Sequence, residues 1–217
     1  MKDAIQETVA SDEQIVERVK SGETFLFEII MRRYNQRLFR VIRGVLKDEN
    51  EVEDVMQEAY VRAYEHLDQV AGRSKFSTWL TKIAVYEAYG RLKNRRRTSG
   101  FDDYLEELMA TSDRSPEERT FDSEMRSLLE RAVDSLPDEY RTVLMMRGIE
   151  GMSTIETADC LNITEQNVKV RLFRARAMIR KQLLERARAA SPKAFQFLGA
   201  RCDRVVEKVL ARIHRRS

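Results

Sequence analysis

The stretch Ser153 to Arg176, STIETADCLNITEQNVKVRLFRAR, constrains the fold more than any other part of the chain. Ser153 and Glu156 have the spacing of a capping box, in which the hydroxyl accepts from an orphan N–H of the first turn and the carboxylate accepts from the cap N–H. A short helix is predicted to start there, run through Ala158 to Leu161 and stop at Asn162. Asparagine tolerates the left-handed conformation that a tight turn between helices demands. Thr164 then caps a second helix, on which Val168, Leu172, Ala175 and Ile179 recur at helical spacing and form the inward stripe. The helical period turns Gln166, Lys169, Val170, Phe173 and Arg174 outward, with Arg171 and Arg176 on the flanks. Such a face suits a helix in the major groove, where cations meet phosphates and guanine edges and apolar groups meet thymine methyls. The same pattern fits a solvated basic face on an ordinary helix pair, so the flanking chain decides.

A chain of 217 residues can bury one sizeable core or divide it between two small domains. Three prolines, eight glycines and a charged fraction of 35% point to a mostly helical protein. No apolar run is long enough to span a bilayer, and the N-terminus lacks the basic and apolar pattern of a signal peptide, so the expectation is a cytoplasmic protein without membrane insertion. Cys160, Cys202, His66 and His214 have no zinc spacing, and no Gly-rich phosphate loop occurs. No metal, cofactor or catalytic residue is therefore expected, nor enzymatic activity. Cys160, beside Leu161 on the first helix of the pair, is expected to be a buried thiol.

Charge is distributed in alternating blocks: net −5 over residues 1–70, +7 over 71–100, −9 over 101–140 and +10 over 141–217. Two basic regions held apart by an acidic one suggest two contacts with a polyanion.

Along the chain, Glu13 to Lys20 reads as a short amphipathic helix preceded by Ser11 and Asp12. From Glu23 the spacing Phe25, Ile29, Ile30, Tyr34, Leu38, Val41, Ile42, Val45 predicts a long core helix. A third helix, from about Glu51 to His66, is expected to bury Val52, Val55, Met56, Ala59 and Ala63 and to leave Glu51, Asp54, Gln57, Glu58 and Arg62 wet. That acidic face is unsuited to phosphate; it is either a solvated surface or a contact for a basic partner. Val70 to Lys75 reads as a loop. A helix over Phe76 to Arg97 turns Leu80, Ile83, Ala84 and Ala88 inward and leaves Phe76, Trp79, Lys82, Tyr86, Arg91 and Lys93 around the loop and on the other faces. Aromatics interleaved with cations suit a single strand, whose bases stack while its backbone follows charge; buried aromatics beside an exposed basic end give the same pattern. Thr98 to Thr120 reads as an acidic linker, with one helical turn around Tyr104 to Met109. Met125, Leu128, Leu129, Ala132, Val133 and Leu136 mark a further helix, and Pro137 is expected at the first position of the next, which carries Tyr140, Val143 and Leu144 and ends at Gly148 or Gly151.

This order of elements resembles the extracytoplasmic-function sigma factors, the two-domain group of the bacterial sigma-70 family. Asp54-Val55-Met56-Gln57-Glu58, Ser77-Thr78-Trp79-Leu80 with Ile83-Ala84, the run Arg95 to Arg97, Leu136-Pro137 with Tyr140-Arg141, and Asn167 to Arg176 carry the resemblance across Asp12 to about Leu184. It implies an all-α fold of two small helical domains joined by a flexible acidic linker, plus a C-terminal helical extension. The corresponding boundaries are a tail over 1–11, region 2 over 12–97, the linker over 98–120, region 4 with its helix-turn-helix over 121–188, and the extension over 189–217.

The resemblance further implies a bacterial transcription initiation factor whose partners are core RNA polymerase, promoter DNA and a sequestering anti-sigma factor. Asp54, Gln57 and Glu58 match the surface that docks on the clamp helices of the largest polymerase subunit, and the helix-turn-helix domain sits near the subunit at the upstream promoter. Arg73, Lys75, Phe76, Trp79, Lys82, Tyr86 and Arg91 match the surface that captures a flipped base of the minus-ten element. Lys169, Val170, Arg171, Phe173, Arg174 and Arg176 match the reader of the minus-thirty-five element. The acidic linker matches the segment that threads polymerase channels. Departures are Tyr86 where asparagine is common, Val170 where serine is usual, Asn162 for the turn glycine and Thr157 for an isoleucine. After Pro192, the stripe Phe195, Leu198, Cys202, Val205, Val206, Val209, Ile213 predicts a helix that packs on the helix-turn-helix domain or on a regulatory protein. Without the resemblance, an operator-binding repressor or activator and a polymerase-blocking interaction protein remain open.

Overall fold

The computed structural model describes residues 10–70, 75–98, 121–190 and 204–209. Helix α1 (Asp12–Lys20) is capped by Ser11, whose hydroxyl accepts from the Gln14 N–H while the Gln14 side chain accepts from the Ser11 N–H. Its buried residues Ile15, Val16 and Val19 lie one turn apart or adjacent, giving an inward face. A 3-10 turn, Thr24–Leu26, leads into α2 (Phe27–Arg43). The tighter turn changes which side chains face inward. Leu26 and Phe27 are buried, whereas Phe25, expected in the core, is 66% exposed. Along α2, Ile30, Tyr34, Leu38, Val41 and Ile42 keep the expected stripe.

The third helix starts earlier than its periodicity suggests, because Asp48 accepts from the N–H groups of Asn50 and Glu51 and caps α3 (Glu49–Glu65). Val52, Val55, Ala59 and Ala63 are buried and Met56 half-buried. Tyr60 joins them because its hydroxyl can donate to the Met31 carbonyl or to Asn35 Oδ1. Helix α4 (Phe76–Thr98) packs against both α2 and α3. Together α1 to α4 surround one core.

The second group begins with α5 (Phe121–Asp134), where Ala132 is buried but Met125 and Leu129, expected inside, are more than two-fifths exposed. Pro137 occupies the cap of α6 (Asp138–Val143) rather than its first position; its fixed φ and missing N–H suit either place. The chain then widens into a π-helical turn, Leu144–Ile149. Helices α7 (Thr154–Leu161) and α8 (Glu165–Ala190) complete the group. The acidic linker lies outside the described residues, apart from Thr98 at the end of α4, as do its suggested helical turn, the N-terminal nine residues and Arg73.

Up to Met178 the two helical groups form one compact unit. Val41 and Val85 from the first meet Met146, Met152 and Cys160 from the second. Arg141, fully buried, donates from Nε to the Gly44 carbonyl and from Nη2 to the Val45 carbonyl, both at 3.1 Å. The second unit, from Ile179, comprises the last turns of α8 and the helical segment 204–209, in which Val205, Val206 and Val209 are exposed; Phe195, Leu198, Cys202 and Ile213 lie outside the described residues.

Candidate nucleic-acid interface

The α7–α8 pair is built by the local chemistry that its sequence suggests. Ser153 Oγ accepts from the Glu156 N–H at 3.1 Å, and Glu156 accepts from the Ser153 N–H at 2.8 Å. These contacts, led by the Ser153 N–H and joined by Lys75, hold the Glu156 carboxyl down at about 2. Asn162 closes α7 in the left-handed conformation, φ 50° and ψ 48°. Thr164 Oγ1 accepts from the Asn167 N–H at 3.2 Å and caps α8. Thr157 is fully buried, and its hydroxyl donates to the Ser153 carbonyl at 2.8 Å, so the polar side chain is satisfied inside the turn.

Helix α8 buries Val168 and Ala175 completely and turns Lys169, Val170, Phe173, Arg174 and Arg176 to the surface. Phe173 is 75% exposed, an unusual position for a phenyl ring flanked by cations. Arg171 is tied back to Glu139 at 3.0 Å, and Arg174 Nη1 donates to the Tyr140 hydroxyl at 3.3 Å. These contacts orient two guanidinium groups of the face.

On α4 the expected residues separate. Lys82, Tyr86 and Lys93 are exposed, separated by four and then seven residues and hence on one strip. Tyr86 is 70% exposed, and beyond Gly90 at the next turn is open space, leaving the ring beside a low shelf. Phe76 departs from the expectation of an accessible ring: it is 1% exposed, with its centroid 6.0 Å from that of Tyr34 and 5.7 Å from that of Trp79. As the first residue of α4, it points into the core and packs against the half-buried Trp79. Arg91 is held by Glu58 at 3.0 Å. Lys75 pairs with Glu156 at 3.3 Å, and Lys82 with Asp159 at 2.7 Å.

Asp54, Gln57 and Glu58 lie exposed along one face of α3, as expected. Sequence reasoning missed Val61, 59% exposed one turn further along that face, and the neighbouring Tyr64, 41% exposed. A signal existed, since Val61 falls off the buried spacing Val55, Ala59, Ala63. Cys160 is buried, and burial pushes its thiol up to about 12.

The model for Sigma-70 region 2 matches residues 30–98, and that for Sigma-70, region 4 matches 126–179. The RNA polymerase sigma-H factor of Pseudomonas aeruginosa is 33% identical over 184 residues, covering 81% of this chain and 95% of that protein. The chain belongs to the extracytoplasmic-function group of the sigma-70 family. The ECF sigma factor SigW of Bacillus subtilis is 31% identical over 180 residues, covering 77% of this chain and 94% of that protein. The ECF sigma-E factor of Escherichia coli K12 is 32% identical over 177 residues, covering 78% and 92%.

Solved structures share the fold of this sigma factor. CnrH, in complex with the cytosolic domain of CnrY, superposes with a TM-score of 0.56 at 24% identity, covering 79% of this chain and 96% of that one. RpoE of Bartonella quintana, in complex with the anti-sigma factor NepR, gives 0.58 at 18%, covering 72% and 96%. Among the described residues this sigma factor is thus all-α, made of region 2 and region 4 helices, in which α4 carries the strip around Tyr86 and α8 the face around Phe173.

Proposed function

We propose that this sigma factor docks on core RNA polymerase through Asp54, Gln57 and Glu58 of α3, on the clamp helices of the largest subunit, with Val61 extending the contact. Region 2, residues 12–97, captures the minus-ten element through Arg73, Lys75, Lys82, Tyr86 and Arg91. Phe76 supports the pocket from the core and Trp79 forms its half-buried wall. Tyr86 offers a ring for stacking where the family commonly presents an amide; flipping a base costs a few kcal/mol, which stacking and charge must offset. Region 4, residues 121–188, reads the minus-thirty-five element through Lys169, Val170, Arg171, Phe173, Arg174 and Arg176, near the subunit at the upstream promoter. Residues 98–120 link the two, and 189–217 form a C-terminal extension.

The exposed phenyl ring of Phe173 amid cations, on a helix that buries Val168 and Ala175 on its opposite side, carries this reading. The factor makes and breaks no bonds itself; polymerase supplies the chemistry. It acts in the bacterial cytoplasm under an anti-sigma factor, and no helix among the described residues is long and apolar enough to cross a membrane. Run-off transcription with core polymerase on a genomic promoter library tests the proposal. Transcripts sharing a two-part promoter sequence are expected; DNA binding without promoter opening would instead indicate an operator binder.

A further inference from the structure

We propose that the acidic edge of α7 is a docking surface for the chain's own promoter-facing cations. Glu156 and Asp159 hold Lys75 and Lys82 in a closed form of the free factor, and compete for them with the single strand of the minus-ten element. The proposal rests on the assignment of Lys75 and Lys82 to that element made above.

Among the described residues, five ion pairs cross the contact between the two helical groups, and all have the same polarity. Lys75 meets Glu156, Lys82 meets Asp159, Arg40 meets Glu150, Arg43 meets Asp134 and Arg96 meets Asp138, at 2.7 to 3.3 Å. In each pair the first group supplies the cation and the second the anion. Region 4 thus presents to region 2 a row of carboxylates, the charge that a phosphate backbone would present. Glu156 also accepts from the Thr78 hydroxyl at 3.2 Å, so this carboxylate grips the start of α4 at two points.

Behind the charges the contact is closed by apolar groups. Val85 on α4 packs with Met146, Met152 and Cys160, and the Cys160 thiol lies 3.6 Å from the Thr78 carbonyl. Gly44 passes so close that an added Cβ would lie 3.1 Å from the Thr142 Cα. The Lys75 and Lys82 side chains remain 78% and 49% exposed. Exposed pairs of this kind are individually weak and sensitive to salt. A polyanion can therefore displace them one after another, and opening the contact uncovers Cys160.

Cys160 supplies the readout. In the full chain with Cys202→Ser it is the single thiol, and its reaction with an aromatic disulfide reagent reports opening. Glu156→Gln keeps the acceptor for the capping box while removing charge, and Asp159→Asn removes the second charge. The double variant is expected to react about fivefold faster than its parent, the factor that two exposed pairs of ordinary strength together supply. A mixed-sequence single-stranded oligodeoxynucleotide should likewise accelerate the parent, and added salt should accelerate the parent more than the double variant. Gly44→Ala, a wedge without charge, should also speed the reaction and thereby shows that Cys160 senses this contact. A double variant with native helical content that reacts at the parental rate overturns the proposal, whether or not Gly44→Ala is fast. Transcription with core polymerase reads the promoter assignment separately: a parent that opens promoters while the carboxylate variants leave Cys160 protected retains the function and loses the latch.

Discussion

Arg141 Nε donates to the carbonyl oxygen of Gly44 at 3.1 Å, so a fully buried guanidinium joins region 4 to the end of α2. Its other donors reach the carbonyls of Val45 and Leu136 and the carboxylate of Asp138, at 2.7 to 3.1 Å. A planar fork can satisfy these acceptors together, and a lysine ammonium cannot. Arg141→Lys should therefore lower unfolding stability by about 2–3 kcal/mol, the cost of leaving buried acceptors without donors. Denaturant unfolding checks this, and an unchanged midpoint would mean that the carbonyls find other donors.

Features whose cause lies within a turn of themselves are legible in the sequence, and those with distant causes are not. Ser153, Glu156, Asn162 and Thr164 announce α7 and α8 because each acts within a turn of itself. The inward stripe of α2 and the wet face of α3 are legible for the same reason. Helix α4 is different: Leu80, Ala84 and Ala88 face one core, while Val85 faces the cluster shared with region 4. A helix buried on two sides loses its one-sided pattern, so neither that contact nor the burial of Phe76 could be read from spacing. Phe25 fell outside because a 3-10 turn interrupts the period at its position. Arg141 belongs to a recognisable motif, yet its burial depends on carbonyls nearly a hundred residues away.

The exposed face of α3 leads to a test of polymerase docking. Asp54→Lys with Gln57→Lys should weaken binding to core polymerase at least about tenfold, since like charges brought together at a basic partner cost several kcal/mol. Glu58→Lys is a less clean probe, because it also abandons Arg91. Fluorescence anisotropy with labelled factor reads the affinity, and circular dichroism confirms the helices. Equal affinity for parent and variant would move the docking surface elsewhere.

Tyr86 can be separated into ring and hydroxyl. Tyr86→Phe should keep promoter opening near the parental level, because the ring is 70% exposed and provides the stacking face. Tyr86→Ala should cost about 1–3 kcal/mol of opening, the usual worth of one base on one ring. Permanganate reactivity of unpaired thymines measures the open fraction. If Phe and Ala variants fail alike, the hydroxyl rather than stacking selects the base.

Arg174 and Lys169 distinguish base reading from phosphate contact on α8. Arg174→Ala should lose about 1–3 kcal/mol on the preferred upstream element and relax its preference at one position. Lys169→Ala should weaken all sequences alike and reduce the salt dependence. Arg174 gives up only a 3.3 Å hydrogen bond to Tyr140, so its removal leaves the domain folded. Competition among promoter variants in transcription reads the pattern, and a uniform loss for Arg174→Ala would make it a phosphate contact.

The Ser153–Glu156 capping box gives stability a defined acid dependence. The folded carboxyl is held at about 2, below its ordinary 4.5. A depressed carboxyl contributes fully above its unfolded value and loses that contribution as pH falls toward the folded one. Ser153→Ala removes the hydroxyl but leaves the leading contact, the Ser153 N–H to the carboxylate, in place, and should cost about 1 kcal/mol at neutral pH, the usual worth of a cap. Glu156→Gln keeps an acceptor but cannot ionise, so its stability deficit relative to the parent should be constant above about pH 4.5 and shrink toward pH 2. Urea unfolding across that range measures the deficit; one that persists unchanged in acid would mean that the charge of Glu156 contributes nothing to the closed helix start.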